Sequence, residues 1–118
     1  MRVKVYGIPN CDTVKRARAW LTGKGIEIDF HDYKTAGISR ERISSWLNQT
    51  DWESLVNRRG LTWRKLPDAS KAAIKDDASA TDLMLEYPSV IKRPVLECGG
   101  KILVGFDAGS YAKLLQSR

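Results

Sequence analysis

Residues 4–17 read Lys4-Val5-Tyr6-Gly7-Ile8-Pro9-Asn10-Cys11-Asp12-Thr13-Val14-Lys15-Arg16-Ala17. The first half of this stretch is rich in β-forming residues, and Gly7, Pro9 and Asn10 then end the predicted strand. A helix is predicted to begin at about Asp12, because the apolar residues that follow recur with the spacing of one buried helical stripe. Cys11 therefore stands where a strand leads into a helix.

The position of Cys11 favours a reactive thiol. At a helix N-terminus the sulfur faces unpaired backbone N–H groups and the positive end of the helix dipole, and both stabilise a thiolate. The thiolate is the nucleophilic form of cysteine, and Lys15 adds nearby positive charge. The alternative is an ordinary buried cysteine, a common residue type in protein cores. The polar residues on both sides of Cys11 are typical of an exposed turn instead, so Cys11 is the candidate nucleophile.

Composition restricts the class of protein. The chain has 118 residues, 42% hydrophobic and 29% charged, which is typical of one globular domain. No apolar run is long enough to span a membrane, and two distant cysteines do not make a disulfide framework, so we expect a cytoplasmic monomer with reduced thiols. The net charge of +6 is spread along the chain, which favours an anionic small molecule over nucleic acid as the partner.

The remaining elements follow in order along the chain. Residues 26–30 alternate as a second strand. Residues 35–88 contain short helices, for which Ser39 and Asp51 are predicted N-caps and Ser79 is predicted to start a capping box. Two further strands flank Gly99-Gly100, a strong hairpin signal, and Asp107 is expected to cap a last helix.

This order predicts an α/β protein with a thioredoxin-like fold. A βαβ unit and a ββα unit form the core, residues 1–34 and 89–118, with a mixed four-stranded sheet and an all-helical insertion at residues 35–88. In such a core the third strand begins beside the N-terminus of the first helix. Arg93, immediately before Pro94 at that strand, is therefore expected to hold a negative charge near Cys11. We expect His31, the only histidine, to be a surface or strand-end residue.

Three motifs in order give the chain a family resemblance. It resembles the arsenate reductase-like family of thioredoxin-fold proteins, which includes the ArsC, Spx and YffB proteins, and it is most similar to the YffB branch. The motifs are residues 6–17, then Asn57-Arg58-Arg59-Gly60 followed by Thr62-Trp63-Arg64-Lys65-Leu66, and last Ile91-Lys92-Arg93-Pro94. The resemblance implies that Cys11 is the active thiol, that Pro94 is cis, and that Arg93 and Arg59 form an anion site.

Departures from the family pattern bear on activity. Arsenate reductases of this family present three arginines around the cysteine, but Asn57 stands where one is expected, with Arg58 or Arg59 as a substitute. Gly105 stands near another expected arginine position, which disfavours arsenate reduction. The regulators that bind RNA polymerase often carry a Cys-x-x-Cys switch, whose second cysteine is replaced here by Val14.

These observations predict a glutathione-dependent thiol-disulfide reductase or transferase with a single nucleophilic cysteine. Cys98 is expected to be a buried strand residue too remote to resolve Cys11, so glutathione would be the co-substrate, with no bound cofactor or metal. The alternatives are a glutaredoxin-coupled arsenate reductase and a non-catalytic regulator that binds RNA polymerase; a protein disulfide is a further candidate substrate. The expected catalytic residues are Cys11, Arg93 and Arg59, and the expected substrate-binding residues are Asn10, Lys15, Arg58, Lys92 and Pro94.

Overall fold

The computed structural model describes residues 1–116 of the chain. Its elements, in chain order, are β1 (Arg2–Gly7), α1 (Asp12–Gly23), β2 (Glu27–Asp32), α2 (Tyr33–Ala36), α3 (Arg40–Leu47), α4 (Trp52–Leu55), α5 (Leu61–Arg64), α6 (Asp68–Ala72), α7 (Asp77–Glu86), a 3-10 turn (Pro88–Val90), β3 (Val95–Cys98), β4 (Lys101–Val104) and α8 (Ala108–Gln116). None of these helices is long and apolar enough to cross a membrane.

The four strands form one mixed sheet in the order β2-β1-β3-β4. β1 runs parallel to β2, and the pairs β1–β3 and β3–β4 are antiparallel. The two glycines between β3 and β4 have φ values of 58° and 82°, which is the left-handed backbone that a two-residue hairpin turn requires. The predicted α/β, thioredoxin-like fold class is confirmed.

The chain divides into two compact units, each described here by itself. The first comprises Met1–Ala36 and the chain from Arg93 onward, and the second comprises Gly37–Lys92. The first unit contains the whole sheet with α1, α2 and α8. Its core is a cluster of buried side chains from one face of the sheet and from α1 and α8: Val3, Val5, Ala17, Leu21, Leu96, Cys98 and Tyr111.

The second unit contains α3–α7. Ser39 and Asp51 cap α3 and α4 as predicted, accepting backbone N–H bonds at 3.1 Å and 2.7 Å. The predicted start of α7 is wrong. The capping residue is Asp76, whose carboxylate accepts the Ser79 N–H at 2.8 Å. In return, the Ser79 hydroxyl oxygen accepts the Asp76 N–H at 3.1 Å. Ser79 is thus the third helical residue of the capping box and not its cap.

Candidate active site around Cys11

Cys11 is the residue that immediately precedes α1. Its backbone is extended, with φ −134° and ψ 127°, and its carbonyl oxygen accepts the Lys15 N–H at 2.9 Å as the first bond of the helix. Val14, Ala17 and Leu21 bury one stripe of α1 against the sheet, which holds the helix N-terminus at the end of β1. Gly7 is required for this approach, since a Cβ there would lie 3.0 Å from Val14 Cγ2.

The thiol of Cys11 is partly buried and acidic. Burial by itself raises the pKa of the thiol, but the backbone N–H groups of Val14 and Thr13 lower it, and so does the positive charge of Arg93. The net result is a pKa below the ordinary value of a cysteine.

Arg93 is the cation beside the sulfur. Its peptide bond to Pro94 is cis, as the family resemblance implies, and Pro94 is buried directly before β3. The Arg93 guanidinium is within hydrogen-bonding range of the Cys11 sulfur and also of the Tyr33 hydroxyl. Arg93 is itself half-buried, so its charge acts on the thiolate in surroundings that screen it less than bulk water does.

Tyr33 is the site residue that the sequence analysis missed. It follows β2 directly, and because β1 and β2 are parallel, their C-terminal ends lie at the same edge of the sheet: Gly7 pairs with Asp32. Cys11 and Tyr33 both follow that edge, so the predicted βαβ unit already contained a signal that could have found Tyr33.

The second thiol lies elsewhere in the first unit. Cys98 is 3% exposed, belongs to the core cluster, and is free, as is Cys11. Glu97 pairs with Lys4, which places Cys98 beside the N-terminal half of β1, whereas Cys11 follows the C-terminal end of β1. Four strand residues span roughly 13 Å, well beyond the Cα separation of about 7 Å that a disulfide tolerates.

The other predicted site residues fall into two groups. Asn10 and Lys15 are exposed residues on either side of Cys11 in the first unit. Arg58, Arg59 and Lys92, all exposed, belong to the second unit and are described within it.

In the second unit, the turn that carries the two arginines is well anchored. Asn57 donates its N–H to the Val90 carbonyl oxygen at 2.7 Å, and its side-chain oxygen accepts the Arg59 N–H at 3.1 Å. A Cβ at Gly60 would lie 2.9 Å from Asn57 Nδ2, so glycine leaves room for the Asn57 side chain in this turn. Asn57, which stands where the family pattern suggests an arginine, therefore has a structural role in this turn.

His31 contacts Tyr6 through their aromatic rings. The two rings are tilted by 48° with centroids 5.1 Å apart, and the Tyr6 hydroxyl donates to Glu97 at 3.0 Å. In the described part of the chain, no group of three or more His, Cys, Asp or Glu side chains could hold a metal ion. The first unit presents a cysteine thiol whose pKa is lowered by backbone amides and by the Arg93 guanidinium.

Comparison with known proteins places this arrangement in a family. The model of the ArsC family matches residues 6–114. A solved structure titled YFFB protein is 50% identical, with a TM-score of 0.90, and the match covers 94% of this chain and 96% of the other. A solution structure titled an arsenate reductase (ArsC) related protein from Brucella melitensis is 48% identical, with a TM-score of 0.76 and coverage of 98% and 96%.

A curated relative is named for regulation. The global transcriptional regulator Spx of Streptococcus pyogenes is 28% identical over 108 residues, which cover 89% of this chain and 78% of the regulator. The resemblance inferred from the three sequence motifs is confirmed. With a family model that matches nearly its whole length and a thioredoxin-like fold that places Cys11 at the N-terminus of α1, the chain belongs to the ArsC family.

Proposed function

We propose that the protein is a glutathione-dependent thiol-disulfide reductase or transferase that uses Cys11 as its single nucleophilic cysteine. One observation carries the proposal: the Cys11 thiol has a lowered pKa, and the other cysteine of the chain is buried in the core at the far end of β1. An acidic thiol without a resolving partner in its own chain needs a second thiol from outside.

The reaction at the Cys11 sulfur has two balanced steps. The Cys11 thiolate attacks one sulfur of a disulfide, forms a mixed disulfide with it, and releases the other sulfur as a thiolate that takes up a proton. A glutathione thiolate then attacks the mixed disulfide and regenerates the Cys11 thiolate. This attack leaves a disulfide between glutathione and the substrate. A second glutathione, reacting away from Cys11, converts that disulfide to the substrate thiol and glutathione disulfide, so two glutathione molecules supply the two electrons overall. Glutathione carries two carboxylates, which suits a protein with a net charge of +6.

Arg93 would act in both steps. In the first step its guanidinium stabilises Cys11 as the attacking thiolate, and in the second it stabilises Cys11 as the departing thiolate. One contact serves both steps because the Cys11 sulfur carries a similar negative charge in each. Arg59 is proposed as a second anion-binding residue on the strength of the family resemblance, with Arg58, Lys15 and Lys92 as weaker contributors and Asn10 and Pro94 bordering the substrate.

Mass spectrometry of the protein treated with oxidised glutathione tests the proposal. We expect one glutathione on Cys11, removed again by reduced glutathione. Cys98→Ser is the matched control and should preserve the exchange, whereas Cys11→Ser should abolish it. A Cys11–Cys98 disulfide without a glutathione adduct would refute the single-cysteine scheme.

Arsenate reduction is the second candidate, since a thiolate flanked by a guanidinium and backbone amides also suits an oxyanion, and the Brucella melitensis relative is titled as arsenate reductase related. Arsenate-dependent NADPH oxidation in the presence of glutathione, glutaredoxin and glutathione reductase tests it. Turnover comparable to the disulfide reaction would favour this candidate; we expect little or none, because a glycine occupies position 105.

A regulatory role would have to operate without a dithiol switch at Cys11. Val14, three residues after Cys11, is fully buried and packs against Gly7, so this position serves the core. The match to Spx supports a protein partner such as RNA polymerase as the alternative. Binding of purified RNA polymerase that persists in Cys11→Ser protein, together with absence of glutathione exchange in the wild type, would favour it.

A further inference from the structure

Tyr33 is a buried polar side chain that the proposed reaction does not yet use. It is 0% exposed and begins α2, which packs against β1 and β2. The turn before it is fixed by Asp32, whose carboxylate accepts the Lys34 N–H at 3.0 Å and whose carbonyl oxygen accepts the Thr35 hydroxyl at 3.3 Å. The Tyr33 ring therefore has little freedom to move.

The strand pairing places Cys11, Tyr33 and Arg93 at one edge of the sheet, because Gly7 pairs with Asp32 and Tyr6 pairs with Val95. At this edge the Tyr33 hydroxyl meets the same guanidinium as the Cys11 sulfur. An arginine side chain has only donors, so in this contact Arg93 donates and the tyrosine oxygen accepts. The charged groups that act on the Tyr33 hydroxyl are Arg93, Cys11 and Asp32. Burial keeps the phenol protonated, with its pKa raised well above the ordinary value despite the opposing effect of Arg93.

The protonation state of this acceptor matters for the thiolate. A carboxylate in the same place would also hold the guanidinium, but its negative charge would offset that of the arginine and repel the thiolate. A neutral phenol orients the guanidinium and leaves its full positive charge to act on sulfur. A half-buried arginine side chain also has several rotatable bonds, so a fixed acceptor reduces the conformational entropy lost when the thiolate is bound.

Resting on Cys11 as the reactive thiol of the proposed function, we propose that Tyr33 is a positioning residue: its neutral hydroxyl holds the Arg93 guanidinium against the Cys11 sulfur. Tyr33 acts through Arg93 and does not itself take part in bond making. The role goes beyond packing, because it predicts that loss of one oxygen atom changes the reactivity of a thiol on another element.

Alkylation of Cys11 by iodoacetamide, followed against pH by site-resolved mass spectrometry, tests this role. It needs neither glutathione nor a disulfide substrate, so its outcome is independent of the glutathione scheme. We expect Tyr33→Phe to move the alkylation profile to higher pH and to slow alkylation at acidic pH by about three- to tenfold, the effect of losing one net hydrogen bond. An unchanged profile for Tyr33→Phe would overturn the proposal.

The matched control is Tyr111→Phe. Tyr111 is equally buried in the first unit, at 1% exposure, but its hydroxyl donates to the Gly105 carbonyl oxygen at 3.1 Å. It should lower stability without moving the alkylation profile. A double-mutant cycle identifies the route: in an Arg93→Gln background, Tyr33→Phe should have no further effect. A Tyr33→Phe effect of full size in that background would show that Tyr33 does not act through Arg93.

A second measurement covers the case in which Tyr33→Phe does not fold. In Cys11→Ala protein, the Arg93 guanidinium keeps the Tyr33 hydroxyl as a hydrogen-bond acceptor. We expect nuclear magnetic resonance to show restricted rotation of the Arg93 guanidinium in this variant. A freely rotating guanidinium would overturn the proposal.

Discussion

Gly105 donates its backbone N–H to the carbonyl oxygen of Pro94 at 2.8 Å. This bond joins the end of β4 to the residue that precedes β3, next to Arg93. The carbonyl oxygen of Gly105 in turn accepts the Tyr111 hydroxyl, which links the same residue to α8. With φ at 83°, Gly105 lies in the left-handed region that side chains disfavour, so its backbone role and its identity as glycine belong together.

Substitution of Gly105 should therefore destabilise the fold. We expect Gly105→Ala to lower the free energy of unfolding by about 1–2 kcal/mol, because a Cβ is strained in left-handed backbone. Urea denaturation measures the change. Gly109→Ala is the matched control, since Gly109 lies inside α8 and an added Cβ there would meet only Asp107 Oδ2, at 3.5 Å. This substitution should raise the free energy of unfolding by up to about 1 kcal/mol. Equal effects of the two substitutions would contradict the role of backbone strain.

The same strain bears on arsenate. Gly105→Arg places an arginine near the position that the family pattern suggests. It also puts a side chain on a residue with left-handed backbone, which is strained. We expect this variant to be destabilised and to show no gain in arsenate turnover in the NADPH-coupled assay. A stable, arsenate-active Gly105→Arg protein would show that the missing arginine alone limits that reaction.

The acidity of Cys11 predicts its reactivity. Iodoacetamide alkylation of Cys11 should have its pH midpoint below about 8.5, which is the pKa of a free cysteine. A midpoint at or above that value would rule out a stabilised thiolate and, with it, the nucleophile assigned here.

Arg93→Gln should weaken that thiolate. A hydrogen bond to a charged group is worth about 1.5–3 kcal/mol, which corresponds to about one to two decades in rate if it is fully expressed in the transition state. Glutathione exchange and alkylation near neutral pH should both slow. Arg18→Gln is the control on the same helix as Cys11, because the Arg18 guanidinium lies 4.2 Å from the centroid of the Phe30 ring and should leave both rates nearly unchanged. Similar losses in the two variants would indicate that net charge, and not the contact with sulfur, is responsible.

Stability at alkaline pH should depend on Tyr33 and Tyr111, two of the buried tyrosines of the first unit. The pKa values of Tyr33 and Tyr111 are raised in the folded protein, mainly by burial. Their contribution to stability is therefore fully present below the unfolded-state pKa of about 10 and is lost as the pH rises above it.

Urea unfolding of Cys11→Ala protein between pH 8 and pH 11 measures this loss. The range is centred near the pKa of free tyrosine, which is about 10. The cysteine is removed because its lowered pKa acts in the opposite sense: it adds stability that is present above the unfolded-state pKa and is lost as the pH falls through the folded value. Tyr111→Phe in the same background should reduce the slope above pH 10. A slope that stays the same would show that Tyr111 does not contribute.

Local signals in the sequence predicted much of this fold, and non-local contacts account for what they missed. The breakers before Cys11 and the Gly99-Gly100 turn act within a few residues, so the start of α1 and the β3–β4 hairpin could be predicted. Arg93 could be placed near Cys11 only through the assumed topology. Tyr33 was missed because its contact with Arg93 depends on the pairing of β1 with β2.

The start of α7 shows a limit of local reasoning. Asp76, Asp77 and Ser79 can each cap a helix, and only the observed bonds distinguish them. We expect Asp76→Ala to lower the free energy of unfolding by about 1 kcal/mol, as loss of an N-cap usually does. Asp77→Ala, one residue into the helix, should cost less in the same urea titration; the reverse order would contradict the assigned capping box.

The burial of Cys98 means that labelling of its thiol can report opening of the core. A maleimide dye added to the native protein meets one accessible thiol, so a Cys11→Ala variant should stay unlabelled for as long as the core stays closed. Every labelled molecule of that variant has then opened its sheet at least once. The time course of dye incorporation would measure how often the domain opens under native conditions, without denaturant or an introduced probe.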